Sequence, residues 1–118
     1  MLVVQSNKIF AVLSAFAPLV ALLTNGVQSI RPLIAEAIDG DNFVVYYIQY
    51  NGKYSKDNAT EFTVIVHSYS RDYNTSIAIA DQVEKALENA ENIYYYKSAQ
   101  PRFAEENMVF TEQIINIK

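Results

Sequence analysis

The order of apolar segments along the chain is the feature that most constrains its fold. An apolar helical stretch comes first, two strand-like segments rich in Tyr and Val follow, then an amphipathic segment and a closing strand pair. In chain order these segments cover residues 9–23, 43–50, 61–69, 75–90, 93–99 and 107–118. Runs of strands flanked by helices are typical of α+β domains. We therefore predict a mostly antiparallel sheet of about four to five strands, packed against an N-terminal helix (or broken helix pair) and one amphipathic helix.

The length and composition indicate one folded unit. At 118 residues the chain has the usual size of one domain, so we assign 1–118 to a single domain. A chain of this length buries roughly two-thirds of its unfolded surface on folding. Apolar residues make up 51% of the chain, and Gly and Pro number three each, which is not the composition of a disordered segment.

The apolar N-terminal stretch has three interpretations. Ser6 or Asn7 can cap a first helix, Pro18 suits the first turn of a second, and Asn25-Gly26 can end it. This pattern favours a pair of core helices broken at Pro18. A cleaved signal peptide has a similar outline, whereas the stretch is too short for a membrane anchor.

The sequence of the strand segments also predicts where the turns lie and which strand is central. A short strand is predicted at 27–30, and Asn51-Gly52 favours a two-residue hairpin turn, although the polar residues after it also permit a longer loop. Residues 61–70 alternate, yet both sets of side chains include apolar residues. This indicates a central strand with one face covered by a helix. Pro101 marks a bend or an edge-strand position.

The amphipathic segment is predicted to be a helix with one buried stripe. Its apolar residues follow helical spacing, at Ile79, Val83, Ala86, Leu87 and Ala90. Asn74 or Thr75 is the expected N-cap.

No residue pattern in the chain predicts catalysis or a bound group. The chain has no cysteine, which excludes disulfides and a Cys-based zinc site. His67 is the single histidine, interpreted as a packed or solvated residue, and no Gly-rich phosphate loop is present. The carboxylates around Asp39 and Asp41 fit ordinary turn chemistry. We therefore predict a non-enzymatic protein with no cofactor and no metal.

The charge pattern argues against nucleic acid and lipid as partners. The formal net charge is −4, and the nine basic residues are scattered. Specific nucleic-acid binding and attraction to a membrane surface both depend on clustered Lys and Arg. Neither is predicted here.

The tyrosines are the candidate interface residues. Tyr is enriched at protein interfaces because it adds large contact area at low entropic cost, although it also simply favours strands. The predicted interface residues are Tyr46, Tyr50, Tyr54, Tyr69, Tyr94 and Tyr96.

The chain resembles the tail-completion, or tail-terminator, proteins of long-tailed bacteriophages and prophages. The resemblance rests on the leading helical region 7–23, the strand sequence Phe-Val-Val-Tyr-Tyr-Ile at 43–48, and the helix sequence Ala-Ile-Ala-Asp-Gln-Val-Glu-Lys-Ala-Leu at 78–87. The closing strands extend it over nearly the whole chain. Asn42-Phe43 stands where the family commonly has Pro-Tyr.

This resemblance implies a non-enzymatic ring, usually of six copies, that caps the tail tube and joins it to the head. Its expected partners are other copies of itself, the tail tube protein and the head-tail connector protein. Its expected locations are the host cytoplasm during assembly and then the tail or neck of the virion. The alternatives are a head-closure, neck or minor tail protein, and, in another class, a small secreted or periplasmic binding domain released from a cleaved signal.

Overall fold

The computed structural model describes residues 2–32, 40–53, 60–90, 94–104 and 107–117. Within these ranges the chain forms three α-helices, one 3-10 helix and five β-strands. The elements are α1 (Leu2–Ser14), α2 (Ala17–Val20), a 3-10 helix (Gly26–Ser29), β1 (Ile30–Pro32), β2 (Phe43–Lys53), β3 (Thr60–Ser70), α3 (Tyr73–Asn89), β4 (Tyr94–Phe103) and β5 (Val109–Ile117).

The strands form one mixed five-stranded sheet in the order β1-β2-β3-β5-β4. β1 pairs with β2 in parallel, and the other three pairings are antiparallel. The predicted α+β class and the central position of β3 are confirmed. The sheet is mostly but not wholly antiparallel, and its one parallel pair involves a strand of three residues.

The helices lie on one face of this sheet and enclose the core. α1 contacts β2 and both other helices, while α3 contacts β3, β4 and β5. Even-numbered residues of β3 point into this core, as the alternation predicted. The buried apolar cluster includes Ile9, Leu13, Leu19, Leu23, Ile30, Val44, Tyr46, Phe62, Val64, Val66, Ile79, Val83, Ala86, Leu87 and Ile115.

The N-terminal region is a broken helix pair, as predicted. α1 begins at Leu2, earlier than a cap at Ser6 or Asn7 would give. Pro18 lies in the first turn of α2, where its missing N–H costs no hydrogen bond. The predicted short strand at 27–30 was wrong over most of its length, because a 3-10 helix occupies Gly26–Ser29 and β1 begins at Ile30.

A close approach of two turns ties the helix pair to the start of β2. The Thr24 amide donates to the Asn42 carbonyl at 3.0 Å, and the Asn42 amide donates to Thr24 Oγ1 at 3.0 Å. Gly40 has φ +79°, and a Cβ there would overlap the Thr24 side chain. Only glycine fits this position without strain.

The connection between β2 and β3 is longer than a two-residue turn. β2 continues through Asn51 and Gly52 to Lys53, which pairs with Thr60 after a register shift. A bulge accounts for such a shift, since it adds residues to one strand of a pair. The connecting residues 54–59 lie outside the described part of the chain.

Polar side chains fix α3 on the sheet. The helix begins at Tyr73, and the Asp72 carboxylate accepts from the Thr75 amide at 2.9 Å, so Asp72 is the N-cap in place of the predicted Asn74 or Thr75. Beneath the helix, Ser76 Oγ donates to the Ser68 carbonyl at 2.7 Å, and Gln113 Nε2 donates to the Ala80 carbonyl at 2.8 Å. Both donors are buried, so these bonds define the position of α3 along the strands.

Candidate interaction surfaces

A cluster of aromatic and imidazole rings lies on β2, β3 and β5 near one end of these strands, on the face of the sheet opposite the helices. We call it the aromatic face; its members are Phe43, Tyr47, His67, Tyr69 and Phe110. Tyr69 stacks on Phe43 with a centroid distance of 4.7 Å and lies 5.0 Å from Phe110. His67 lies 4.6 Å from Phe110 and meets Tyr47 edge to face at 6.0 Å. Ring pairs at these distances are attractive beyond their apolar area.

Strand register creates this cluster. Tyr69 of the central strand pairs with Phe43 of β2 and with Phe110 of β5. Directly paired residues of antiparallel strands point to the same face of the sheet. One row of three rings therefore crosses three strands, and His67 and Tyr47 continue it along the strands.

A charged group borders the rings. Glu112 Oε2 lies 3.1 Å from His67 Nε2, and its Oε1 lies 3.3 Å from an Arg102 guanidinium nitrogen. The His67 and Glu112 side chains are 17% and 21% exposed. Glu112 thus contacts both the imidazole and the guanidinium beside the aromatic face.

The Tyr69 hydroxyl is neutral at physiological pH. Burial raises the pKa of this phenol above its ordinary value of 10.0, and the nearby Tyr47 phenol raises it further. The aromatic face therefore combines apolar ring surface with the neutral Tyr69 hydroxyl, and tyrosine is enriched in protein interfaces.

The six tyrosines predicted at an interface occupy different places. Tyr69 belongs to the aromatic face. Tyr46 is 3% exposed and lies in the core, where burial raises the pKa of its phenol and a hydrogen bond with Ser6 partly offsets this. Tyr54 lies outside the described residues. The structure describes only the backbone of Tyr50, Tyr94 and Tyr96. In that backbone Tyr94 pairs with Ile117 and Tyr96 with Ile115.

Four members of the aromatic face were not among the predicted interface residues. The missing information was register, because Phe43 and Phe110 are 67 positions apart in sequence and meet only through Tyr69. For His67 and Tyr69 the sequence did contain an indication, because the alternation along β3 places odd-numbered residues on the same face of the sheet. His67 is packed, in line with its interpretation from sequence.

The described residues include no group of three or more His, Asp or Glu side chains arranged to hold a metal ion. The polar groups described above instead hold helix to strand or strand to strand.

A second apolar surface lies on the opposite side of the molecule. Its residues are Val3, Val4, Phe10 and Ala11 of α1, and we call it the outer face of α1. Val3 is 72% exposed, Val4 52% and Phe10 37%, while other side chains of the same helix are buried in the core. Exposed Asn7 and Lys8 lie on the same side of the helix, so this surface is mixed in character, with apolar side chains around one polar and one charged side chain.

A groove joins these two surfaces at the edge of the sheet. It has a volume of about 310 Å³ and is lined by Val3, Ser6, Asn7, Pro32, Tyr46, Tyr47 and Ile48. β1 ends at Pro32, beside Tyr46 of β2. The lining is mainly apolar, so the groove extends the outer face of α1 toward Tyr47 of the aromatic face.

No helix in the described ranges combines the length and apolarity that crossing a bilayer requires.

Comparison with known proteins gives a match in fold. No protein-family model matches the chain, and no curated protein matches it in sequence. A chain in the solved structure of the virion of a native gene transfer agent particle superposes with a TM-score of 0.75. The match covers 92% of this chain and 89% of that chain at 16% sequence identity. The two chains therefore share a fold over nearly their whole lengths.

Proposed function

We propose that this protein is a structural component of a virion and acts without catalysing a reaction. The observation that carries the proposal is the shared fold, which extends over 92% of the chain and matches a chain from a virion particle. The sequence resemblance to tail-terminator proteins supports the same role from different evidence. The exposed apolar residues Val3, Val4 and Phe10 of α1 support it further, because a protein that acts by docking requires apolar side chains at its surface.

Within the virion, we propose the role of a tail terminator. Copies of the chain form a ring, usually of six in proteins of that kind, which caps the tail tube and contacts the head-tail connector. Growth of the tube stops because the ring presents a face that the next tube subunit does not pair with. A ring of identical subunits requires heterologous contacts that close by rotation, and the aromatic face is the proposed site of one such contact.

Removing the gene from a particle-producing cell tests this role. We expect cells that lack the chain to accumulate unjoined heads, with tails of irregular length, in electron micrographs. Re-expression of the chain should restore joined particles. Heads that lack closure but carry normal, separate tails would favour the head-closure alternative, and normal particles would contradict the proposal.

Tyr94 and Tyr96 supply a residue-level test of the interface. If their rings contribute to subunit contacts, changing both to Ser should weaken assembly while the monomer stays folded by circular dichroism. The matched control is Tyr73→Ser, since Tyr73 is 54% exposed at the start of α3. Unchanged assembly of the double variant would remove these two residues from the interface.

A further inference from the structure

Strand β4 forms one edge of the sheet. It is ten residues long, and β5 pairs with it on one side. Among the described residues no strand pairs with its other side, and residues 98–103 are all exposed. An exposed strand edge carries unpaired N–H and C=O groups, to which a strand of another chain can bond. The strand at the other end of the sheet, β1, has three residues, so β4 is the longer of the two edge strands.

The pairing with β5 determines which backbone groups of β4 face outward. The Ala104 amide donates to the Met108 carbonyl at 2.8 Å, so these two residues form a hydrogen-bonded pair. Bonded and non-bonded pairs alternate along an antiparallel ladder. Following the register back from Ala104, the residues whose N–H and C=O groups point toward β5 are Arg102, Gln100 and Ser98. The residues whose backbone groups point away from β5 are Phe103, Pro101 and Ala99.

Proline occupies the middle one of these outward-facing positions. Pro101 has no N–H to offer, and its ring stands where the carbonyl of an added strand would approach. The substitution of proline at this position does not weaken β4 on its other side, because Pro101 forms a non-bonded pair with Thr111. Pro101 therefore interrupts the free edge and leaves the pairing of β4 with β5 intact.

The remainder of β4 favours strand pairing. The strand begins with Tyr94, Tyr95 and Tyr96, and tyrosine is enriched in strands. Phe103 is 75% exposed. A β-prone, partly apolar edge of this kind tends to pair with other chains unless a proline or a charge interrupts it. Arg102, whose side chain is 49% exposed, adds a charge directly beside Pro101.

We infer that Pro101 closes the outer edge of β4 to strand addition. Copies of this chain, and exposed strands of other proteins, are thereby prevented from extending the sheet at β4. Contacts with partners then use surfaces other than this edge. The inference concerns the folded chain itself and does not depend on the proposed role in a virion.

The variant Pro101→Thr tests the inference, because threonine restores an outward N–H and favours strands. Sedimentation up to about 1 mM and thioflavin T fluorescence provide the measurements. Two copies paired edge to edge would gain two hydrogen bonds, so the dissociation constant for self-association should fall at least about tenfold, with a thioflavin T signal that the wild type lacks. Gln100→Thr is the matched control, since its N–H faces β5 and Pro101 remains. Association of Pro101→Thr no stronger than that of the wild type and the control would overturn the inference.

Moving the proline along the strand separates the backbone effect from a side-chain effect. Ala99 also faces away from β5, so the double variant Ala99→Pro, Pro101→Thr should fold and should lose the added association. Gln100→Pro instead removes an N–H that points toward β5, and its thermal midpoint should lie below that of Ala99→Pro. Equal midpoints would contradict the assignment of outward-facing residues, and a double variant that associates like Pro101→Thr would contradict the role of the missing N–H.

Amide hydrogen exchange of the wild-type chain, followed by NMR, gives a readout at the edge itself. The Ala99 and Phe103 amides should exchange fast at every concentration, even if copies associate through other surfaces, while those of Gln100 and Arg102 should be protected. In associated Pro101→Thr, the Ala99 and Phe103 amides should become protected as well. Protection of these two amides in the concentrated wild-type chain would overturn the inference, as would their fast exchange in the associated variant.

Discussion

At the scale of single residues, a few positions fix how the segments meet. Gly40, Thr24 and Asn42 hold the end of the helix pair against the turn that precedes β2. Gly40 and Gly26 both have positive φ, but their surroundings differ: a Cβ at Gly26 would meet a Val20 methyl group at an ordinary 3.5 Å. Comparing substitutions at Gly40 and Gly26 therefore separates the effect of backbone strain on stability from the effect of steric overlap.

We predict that Gly40→Ala lowers the free energy of unfolding by more than about 2 kcal/mol, because overlap with Thr24 adds to the strain of left-handed backbone. Gly26→Ala should cost only about 1 kcal/mol, since strain acts there alone. Urea unfolding of both variants provides the measurement. Equal losses would mean that the turn around Thr24 relaxes to admit the methyl group.

At the scale of elements, burial sets the position of helix α3, and its N-cap and its charged side chains change its stability. Asp72 accepts hydrogen bonds from both the amide and the hydroxyl of Thr75, at 2.9 and 2.8 Å. The buried stripe faces the core, while Glu88 and Asp81 each lie close enough to Glu84 to repel its carboxylate.

Removing the cap in Asp72→Ala should lower stability by about 1 kcal/mol, the usual contribution of a carboxylate N-cap. Asp81→Ala is the control, because Asp81 is an exposed aspartate of the same helix that lies outside the cap. We expect its effect on the thermal midpoint to be small. Similar losses in the two variants would contradict the capping role of Asp72.

Glu84 provides a pH-dependent prediction. Burial raises the pKa of its carboxyl above the ordinary 4.5, and the charges of Glu88 and Asp81 raise it further. Since the folded state binds the proton more tightly than the unfolded state does, ionised Glu84 destabilises the fold at pH values above that raised pKa. Glu84→Gln should therefore stabilise the protein at pH 7 by a few tenths of a kcal/mol. This gain should fade as acid protonates the wild-type carboxyl, and an equal gain at pH 3 would contradict the explanation.

Sequence patterns predicted the long elements and missed the contacts between them. Alternation identified β3 as central, Pro18 located the break between the first two helices, and Pro101 lies in β4 at the edge of the sheet. The parallel pairing of β1 was not visible because three residues carry too little periodicity. The aromatic face was only partly predicted, because ring pairs such as Phe43 with Tyr69 depend on register, which local patterns do not specify.

At the scale of the whole molecule, the N-terminal helices are part of the core. Ile9, Leu13 and Leu19 are fully buried, and Leu23 is 6% exposed. This packing bears on the alternative of a cleaved signal, because cleavage near Ala17 or Asn25 would remove several of these side chains from the core.

A chain that begins at residue 26 should therefore fail to fold. Loss of one buried Leu or Ile typically costs 2–5 kcal/mol, so loss of several exceeds the 5–15 kcal/mol that stabilises a domain of this kind. We expect the truncated chain to lack a cooperative thermal transition, whereas removing residues 1–3 alone should preserve one. A folded truncated chain would support the secreted binding domain.

The central claim is that this chain functions as a built-in part of a virion. Quantitative mass spectrometry of purified particles from a producing cell tests it most directly, with the abundance of the chain measured against the particle's other structural proteins. We predict a fixed, low copy number consistent with one ring, usually six copies, in every joined particle. Absence of the chain from joined particles would contradict the claim.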